Sequence, residues 1–87
     1  MKELTVEIVE ELDDGTFWIT GRCCGDDINV GDVLSHKFDP NITVEVVRIE
    51  VYGKQRESLY RGYVGGVIVK LFSKNGELPK GSLVIDD

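Results

Sequence analysis

Adjacent cysteines are the residues in this chain whose types first suggest metal or redox chemistry. Cys23 and Cys24 follow each other in a stretch rich in β-branched and aromatic residues, and neighbouring residues of a β-strand point to opposite faces. A zinc site needs about four ligands, and His36 is the only histidine of the chain. The pattern therefore favours structural cysteines, one of which fills core space as a small apolar residue, and we expect no metal and no cofactor.

The aspartates and the histidine suggest other kinds of chemistry. Asp26, Asp27 and Asp32 are cation ligands by type, but their spacing differs from that of a calcium loop, and glycine-flanked aspartates are typical of tight turns. His36 is a general base by type, but no nucleophile stands in a recognisable order with it. The phosphate-binding pattern GxxxxGK[ST] is absent from the sequence. We expect no catalytic residues and a protein that is not an enzyme.

A basic stretch bounded by glycines is the better candidate for a functional site. Residues 53–62, GKQRESLYRG, lack sustained alternation and predict the longest loop of the protein. Positive charge next to an aromatic ring is typical of surfaces that contact RNA or anchor a protein partner, and loops on a rigid scaffold often carry binding. An ordinary solvated loop is the alternative. The candidate binding residues here are Lys54, Arg56, Tyr60 and Arg61.

The segments around these residues alternate as β-strands do. Val44, Val46 and Ile49 alternate with charged residues in the clearest case, and the other segments are rich in β-branched and aromatic residues. The predicted strands are residues 4–12, 16–23, 33–38, 42–52, 63–72 and 81–85. Short strands at this spacing predict a single all-β domain over residues 1–87, a small closed antiparallel β-barrel of about six strands.

Turns and a core anchor complete this prediction. Asp13-Asp14-Gly15 has the residue types that a tight hairpin turn requires. We expect further turns at Asp39-Pro40-Asn41 and around Asn75-Gly76. Leu4, Val6 and Ile8 share one face of the first strand in a simple alternation. Trp18 has the largest apolar side chain of the protein and is the expected core anchor.

Charge is divided unevenly along the chain. The net charge is −6, and the first 32 residues alone hold nine acidic and two basic residues. This part should repel phosphate, which confines any RNA contact to the later basic segment. No apolar run approaches the roughly 20 residues of a membrane helix, so we expect no membrane contact. The N-terminus lacks the basic-then-apolar pattern of a secretory signal, which predicts a cytoplasmic protein.

The ordered glycine motifs resemble those of a known family, the second domain of translational GTPases. This is the β-barrel that follows the G domain in elongation factor Tu and its relatives, and the resemblance extends from about Val6 to Ile85. The motifs are Thr20-Gly21-Arg22, Val30-Gly31-Asp32, then Glu50, Gly62 and Gly66, and finally Lys80-Gly81 before Leu83-Val84-Ile85. The resemblance implies the family's barrel occurring without its G domain.

The resemblance also implies positions for the family's contacts to the aminoacylated tRNA end. These positions are Ile8, Glu10, Glu50 and Gly53, and only Glu50 keeps the family's residue type. We therefore expect a non-enzymatic binding module that docks a protein partner, or else RNA or the ribosome, through its loops, with Glu50 among the binding residues. The alternative is a small regulatory or immunity-type protein whose acidic face masks a basic surface of a toxin or translation factor.

Overall fold

The computed structural model describes residues 1–72, Leu78 and residues 81–85, and the regular structure in this part of the chain is entirely β-strand. Among these residues no helix is long and apolar enough to cross a membrane. The strands are β1 (Lys2–Glu11), β2 (Phe17–Cys23), β3 (Ile28–Asn29), β4 (Val33–His36), β5 (Asp39–Val51), β6 (Lys54–Arg56), β7 (Ser58–Leu59), β8 (Val64–Phe72) and β9 (Gly81–Ile85). The turn predicted around Asn75 and Gly76 lies outside the described residues.

Seven of the strands form one curled antiparallel sheet with the shape of a half-barrel. The order of neighbours is β4-β9-β1-β2-β8-β5-β6, and β4 makes a further pairing with β5. The two short strands β3 and β7 pair with each other outside this sheet. The all-β prediction is therefore confirmed, and Asp13-Asp14-Gly15 lies at the predicted hairpin between β1 and β2.

The core lies on the concave face of the curled sheet, where alternate residues of the strands meet. Each fully buried leucine or isoleucine stabilises the fold by about 1.5–3 kcal/mol, and buried side chains of β1, β2, β5 and β8 belong to one hydrophobic cluster. Fully buried members are Leu4, Ile19, Cys23, Ile28, Leu34, Val44, Ile49, Leu59, Val67, Val69 and Leu83.

A β-bulge in β1 changes which residues face outward. The register with β2 shifts between Val6 and Ile8, and an extra residue in one strand reverses the faces of those that follow. Leu4 and Val6 therefore join the core, whereas Ile8 pairs with Thr20 and its side chain is 51% exposed. Placing Ile8 on the same face as Leu4 and Val6 was wrong, because simple alternation does not reveal a bulge.

Trp18 lies on the outer face of the sheet, so the prediction that it anchors the core was wrong. Its indole covers the bare backbone of Gly66 on the neighbouring strand, and its Nε1 donates to Thr20 Oγ1 over 3.1 Å. Phe17 and Ile19 take the inward positions on either side of it. The physical reason is that successive residues of β2 alternate between the two faces of the sheet. If Trp18 faced the core, Phe17 and Ile19 would both face solvent.

The turn predicted at Asp39-Pro40-Asn41 is displaced towards the N-terminus. His36 pairs with Asp39, so the turn itself is formed by the two residues between them, and β5 has already begun at Asp39. The register between β4 and β5 shifts just after this pair. Pro40 lies at this irregularity, where the missing N–H of a proline is tolerated in a strand.

Candidate functional site

The segment after β5 is ordered into two further strands, so the prediction of a long loop over residues 53–62 was wrong. β6 folds back on β5 in a tight hairpin in which Val51 pairs with Lys54. The two residues of the turn, Tyr52 and Gly53, have φ values of 53° and 73°. Positive φ at both central residues defines a type I′ turn, which is the connection that matches the twist of paired strands.

Tyr52 is an unusual residue for this turn. It is the only residue other than glycine with positive φ in the described part of the chain, and type I′ turns prefer asparagine, aspartate or glycine at this position. A bulky side chain in the left-handed region costs about 1 kcal/mol or more. The Tyr52 side chain is 91% exposed, so little packing compensates for this cost within the fold.

The other end of the segment is held firmly against β2 and β3. Leu59 and Ile28 pair between β7 and β3, and both side chains are fully buried. A turn then closes with the Tyr63 N–H donating to the Tyr60 carbonyl over 3.0 Å. The Gly62 N–H donates to the Cys23 carbonyl at the end of β2 over 2.7 Å. The tyrosines of this turn therefore project from a well-fixed backbone.

Arg22 ties the same turn to the outer face of β2. Its Nη1 donates to the Gly62 carbonyl over 2.8 Å. A guanidinium group carries five N–H donors in a planar fork, so this contact orients the group and leaves other donors for a ligand. The sequence motif that suggested a family resemblance, Thr20-Gly21-Arg22, thus delivers a positive charge to this surface.

These elements surround a solvent-open depression that we call the tyrosine cleft. One part has a volume of about 400 Å³, and the adjoining part, which shares Tyr52 and Tyr63 with it, has a volume of about 540 Å³. All three tyrosines of the chain line the cleft, together with two arginines and, among the residues that the structure describes, no acidic one. The lining residues are Arg22, Val51, Tyr52, Arg56, Tyr60, Gly62, Tyr63 and Val64.

The tyrosine rings leave much of their surface available. Tyr60 and Tyr63 meet edge to face, with ring centroids 6.1 Å apart, a favourable arrangement for two aromatic rings. Their side chains are nevertheless 58% and 50% exposed. The cleft therefore combines accessible aromatic faces with fixed positive charge.

The structure brings together two of the five predicted site residues. Arg56 and Tyr60 line the tyrosine cleft. Lys54 lies beside it in β6, and Arg61 belongs to the 60–63 turn, where its backbone N–H donates to Asp27 Oδ1 over 2.9 Å. Glu50 points to the outer face of β5 and forms an ion pair with Arg48, with 3.1 Å between its Oε2 and Arg48 Nε.

Sequence reasoning missed Arg22, Tyr52 and Tyr63 as site residues. Tyr52 and Tyr63 were assigned to the ends of flanking strands, and Arg22 belongs to another hairpin altogether. One signal was present, since the three tyrosines of the chain all fall within residues 52–63. Gly53, directly after the alternating segment, was the second signal, because glycine readily adopts the positive φ that a type I′ turn needs.

The residues that suggested metal or redox chemistry have structural contacts elsewhere. Asp26 Oδ2 accepts a bond from the N-terminal amine, Asp32 Oδ2 lies 2.7 Å from Lys2 Nζ, and His36 Nδ1 accepts a bond from the Phe38 N–H. Among residues 1–72, 78 and 81–85, no three His, Cys, Asp or Glu side chains form a group that could hold a metal ion.

The two cysteines differ in their surroundings, as their adjacent positions predicted. Both are free thiols, but Cys23 is buried in the core whereas Cys24 is exposed and lies 3.2 Å from Thr5 Oγ1. Burial raises the pKa of the Cys23 thiol, which lowers the thiolate fraction that reacts with electrophiles.

We expect a thiol reagent to modify one cysteine of the native protein rapidly and the second only on unfolding. Cys24 should be the fast site because it is accessible, and Cys23 the slow one because it is buried with a raised pKa. Timed labelling with a chromogenic disulfide, with and without denaturant, measures both rates. Rapid double labelling of the native protein would contradict this placement, and a Cys24→Ser variant identifies the fast site.

No protein-family model matches the chain, and a search of curated proteins found no significant similarity.

Proposed function

We propose that this protein is a non-enzymatic binding module that docks a partner through the tyrosine cleft. The observation that carries the proposal is Tyr52, which is held at positive φ in a two-residue turn with its ring 91% exposed. A residue that costs stability and makes little contact within its own fold is expected where binding requires it. The other two tyrosines and Arg22 converge on the same surface.

The composition of the cleft supports a macromolecular partner. Tyrosine and arginine are enriched in the energetically dominant parts of protein interfaces, and the cleft is open to solvent. A protein is the partner we favour, and RNA or the ribosome is the alternative. We place this activity in the cytoplasm, a compartment in which both cysteines would stay reduced.

The proposal includes a closed barrel of translation-factor type as the scaffold. Its support is the double pairing of β4, all four residues of which pair with β5, whereas Ser35 and His36 also pair with β9. The sheet order runs β4, β9, β1, β2, β8, β5, and the additional β4–β5 pairing supports closing these six strands into a ring. Such a ring leaves the β5–β6 hairpin as an arm projecting from the barrel, with Tyr52 at its tip.

Site-specific photo-crosslinking tests this function. A photoreactive phenylalanine analogue placed at Tyr52 should capture a defined partner from native lysate. Phe38 offers a matched control, because it is 82% exposed and lies in the turn that precedes β5, whereas Tyr52 follows the end of that strand. We expect adducts at position 52 and none at position 38, with RNase treatment reporting whether the adduct contains RNA.

Two results would contradict the proposal. Equal adducts at positions 38 and 52, or none at position 52, would show that the cleft is not the docking surface. Charge reversal at Glu10 and Glu11, which are exposed on β1, separates this reading from an acidic face that masks a basic partner. Loss of capture in that variant, with the cleft intact, would favour an acidic face that masks a basic partner. Unchanged capture would support docking through the tyrosine cleft.

A further inference from the structure

We infer that the partner segment recognised at the cleft is an acidic peptide in extended conformation, which adds to the free edge of β6 and places its carboxylates on the neighbouring basic side chains. This inference rests on the proposed function, since it names the partner chemistry of the same site. Three features of the structure lead to it: a free sheet edge, basic side chains that point into solvent, and a solvent-open aromatic lining.

The free edge is β6, the last strand in the order of the seven-stranded sheet. Val51 and Lys54 flank the tight turn and form a hydrogen-bonded pair, so the next pair, Glu50 and Gln55, is of the non-hydrogen-bonded kind. The N–H and C=O groups of Gln55 therefore point away from β5. Within the described part of the chain, no other backbone group bonds to them.

Such an outward pair of backbone groups is what an added strand uses. An extended peptide that joins a sheet edge gains main-chain hydrogen bonds, and pockets for its alternate side chains supply specificity. β6 has only three residues, Lys54–Arg56, and short basic edges resist indiscriminate strand addition. Binding at this edge must therefore draw on side-chain contacts as well, which the adjoining tyrosine cleft provides.

The charges around this edge select a peptide of negative charge. Lys54, Arg56 and Arg61 are exposed, and within residues 1–72, 78 and 81–85 their side chains have no ion-pair partner. A carboxylate can form paired bonds with an arginine fork. The cleft lining adds Arg22 and, among the described residues, contains no acidic side chain. Acidic neighbours lie outside the lining: Glu57 follows Arg56, Glu50 is paired with Arg48, and Asp27 accepts a bond from the Arg61 N–H, so the basic side chains set the charge of the cleft itself.

The same features favour a peptide over single-stranded RNA. RNA can stack its bases on tyrosine rings, but its backbone has no N–H and C=O groups to pair with those of Gln55. RNA also carries one charge per nucleotide, and the chain as a whole has a net charge of −6, which opposes a dense polyanion more than a peptide with two or three carboxylates.

Gln55→Pro is a variant that isolates the edge contact. Proline removes the N–H of Gln55, which points away from β5, and edge strands tolerate proline at such positions. The β5–β6 hairpin should therefore remain intact. Arg56→Ala removes a cleft cation, and Lys37→Ala, in the turn before β5, removes a cation distant from the cleft as the matched control.

The test is a selection from a random dodecapeptide library displayed on phage, in parallel with a random single-stranded RNA pool, on the immobilised full chain. We expect enriched peptides of net negative charge, whose affinity by fluorescence anisotropy falls about tenfold or more in Gln55→Pro and in Arg56→Ala and is unchanged in Lys37→Ala. Circular dichroism and thermal melting of each variant verify the fold.

Several outcomes would overturn this inference. Enriched peptides that are neutral or basic, or acidic peptides bound equally by Gln55→Pro with its fold intact, would exclude strand addition at β6. Enrichment of RNA alone would assign the cleft to a nucleic acid, and it would leave the docking function itself standing. Failure of both selections while position 52 still captures a protein would sink the peptide inference only, whereas failure of capture as well would remove the proposed function.

Discussion

Replacement of Gly66 by alanine is expected to destabilise the fold by about 2 kcal/mol and to drive the Trp18 indole off the sheet. A Cβ atom at Gly66 would overlap the indole, reaching within 2.6 Å of its Cε2 and 2.8 Å of its Cη2. The ring cannot yield without losing its packing on the strand and its bond to Thr20. Covering a glycine with an aromatic ring is a recognised way of stabilising a sheet.

Chemical denaturation measures the stability of this variant, and fluorescence reports the ring directly because Trp18 is the only tryptophan of the chain. The emission of Gly66→Ala should shift to longer wavelength in the native state. In a Trp18→Ala background the same glycine change should cost almost nothing, since the overlapping ring is gone. A cost that is equal in both backgrounds would show that the indole does not rest on Gly66.

Replacement of Tyr52 by asparagine should stabilise the fold, raising the free energy of unfolding by about 1 kcal/mol. Asparagine enters the left-handed region readily, and followed by Gly53 it forms the preferred type I′ sequence. The exposed tyrosine ring gives up little packing when it is removed. For a domain of this size the melting temperature should rise by about 4–8 °C.

Tyr52→Ala is the matched control, because it removes the ring but keeps a side chain that is disfavoured at positive φ. It should leave the melting temperature close to that of the wild type. An equal gain for alanine and asparagine would mean that the ring itself is unfavourable, and a loss for asparagine would mean that the turn is not strained at Tyr52.

Strand positions followed from the sequence because alternation and turn chemistry are local. The hairpin at Asp13-Asp14-Gly15 formed as predicted, and there the Thr16 hydroxyl and then the Thr16 N–H both donate to Asp14 Oδ1, which lowers the pKa of that carboxyl. The face on which a residue lies depended on non-local registers. The bulge after Val6 turned Ile8 outward, and the phase of β2 placed Trp18 over a glycine distant in sequence.

The candidate site was predictable only where its residues are neighbours in the sequence. Arg56 and Tyr60 were found because charge and aromaticity are adjacent along the chain. Arg22 reaches the cleft from another hairpin through its bond to the Gly62 carbonyl, and no local pattern indicates that contact. Tyr52 was hidden in an apparently regular strand, because the tight turn needs only two residues and the second of them, Gly53, was assigned to a loop.

On our proposal, Tyr52 is retained for binding at the expense of stability. The most direct test is to measure thermal stability and peptide affinity for the same substitution. The measurement compares wild type and Tyr52→Asn by thermal unfolding and by anisotropy with the selected acidic peptide. We expect the variant to melt higher and to bind about tenfold more weakly. A variant that is more stable and binds as tightly as the wild type would contradict a binding role for the Tyr52 ring, and one that is less stable would contradict the strain.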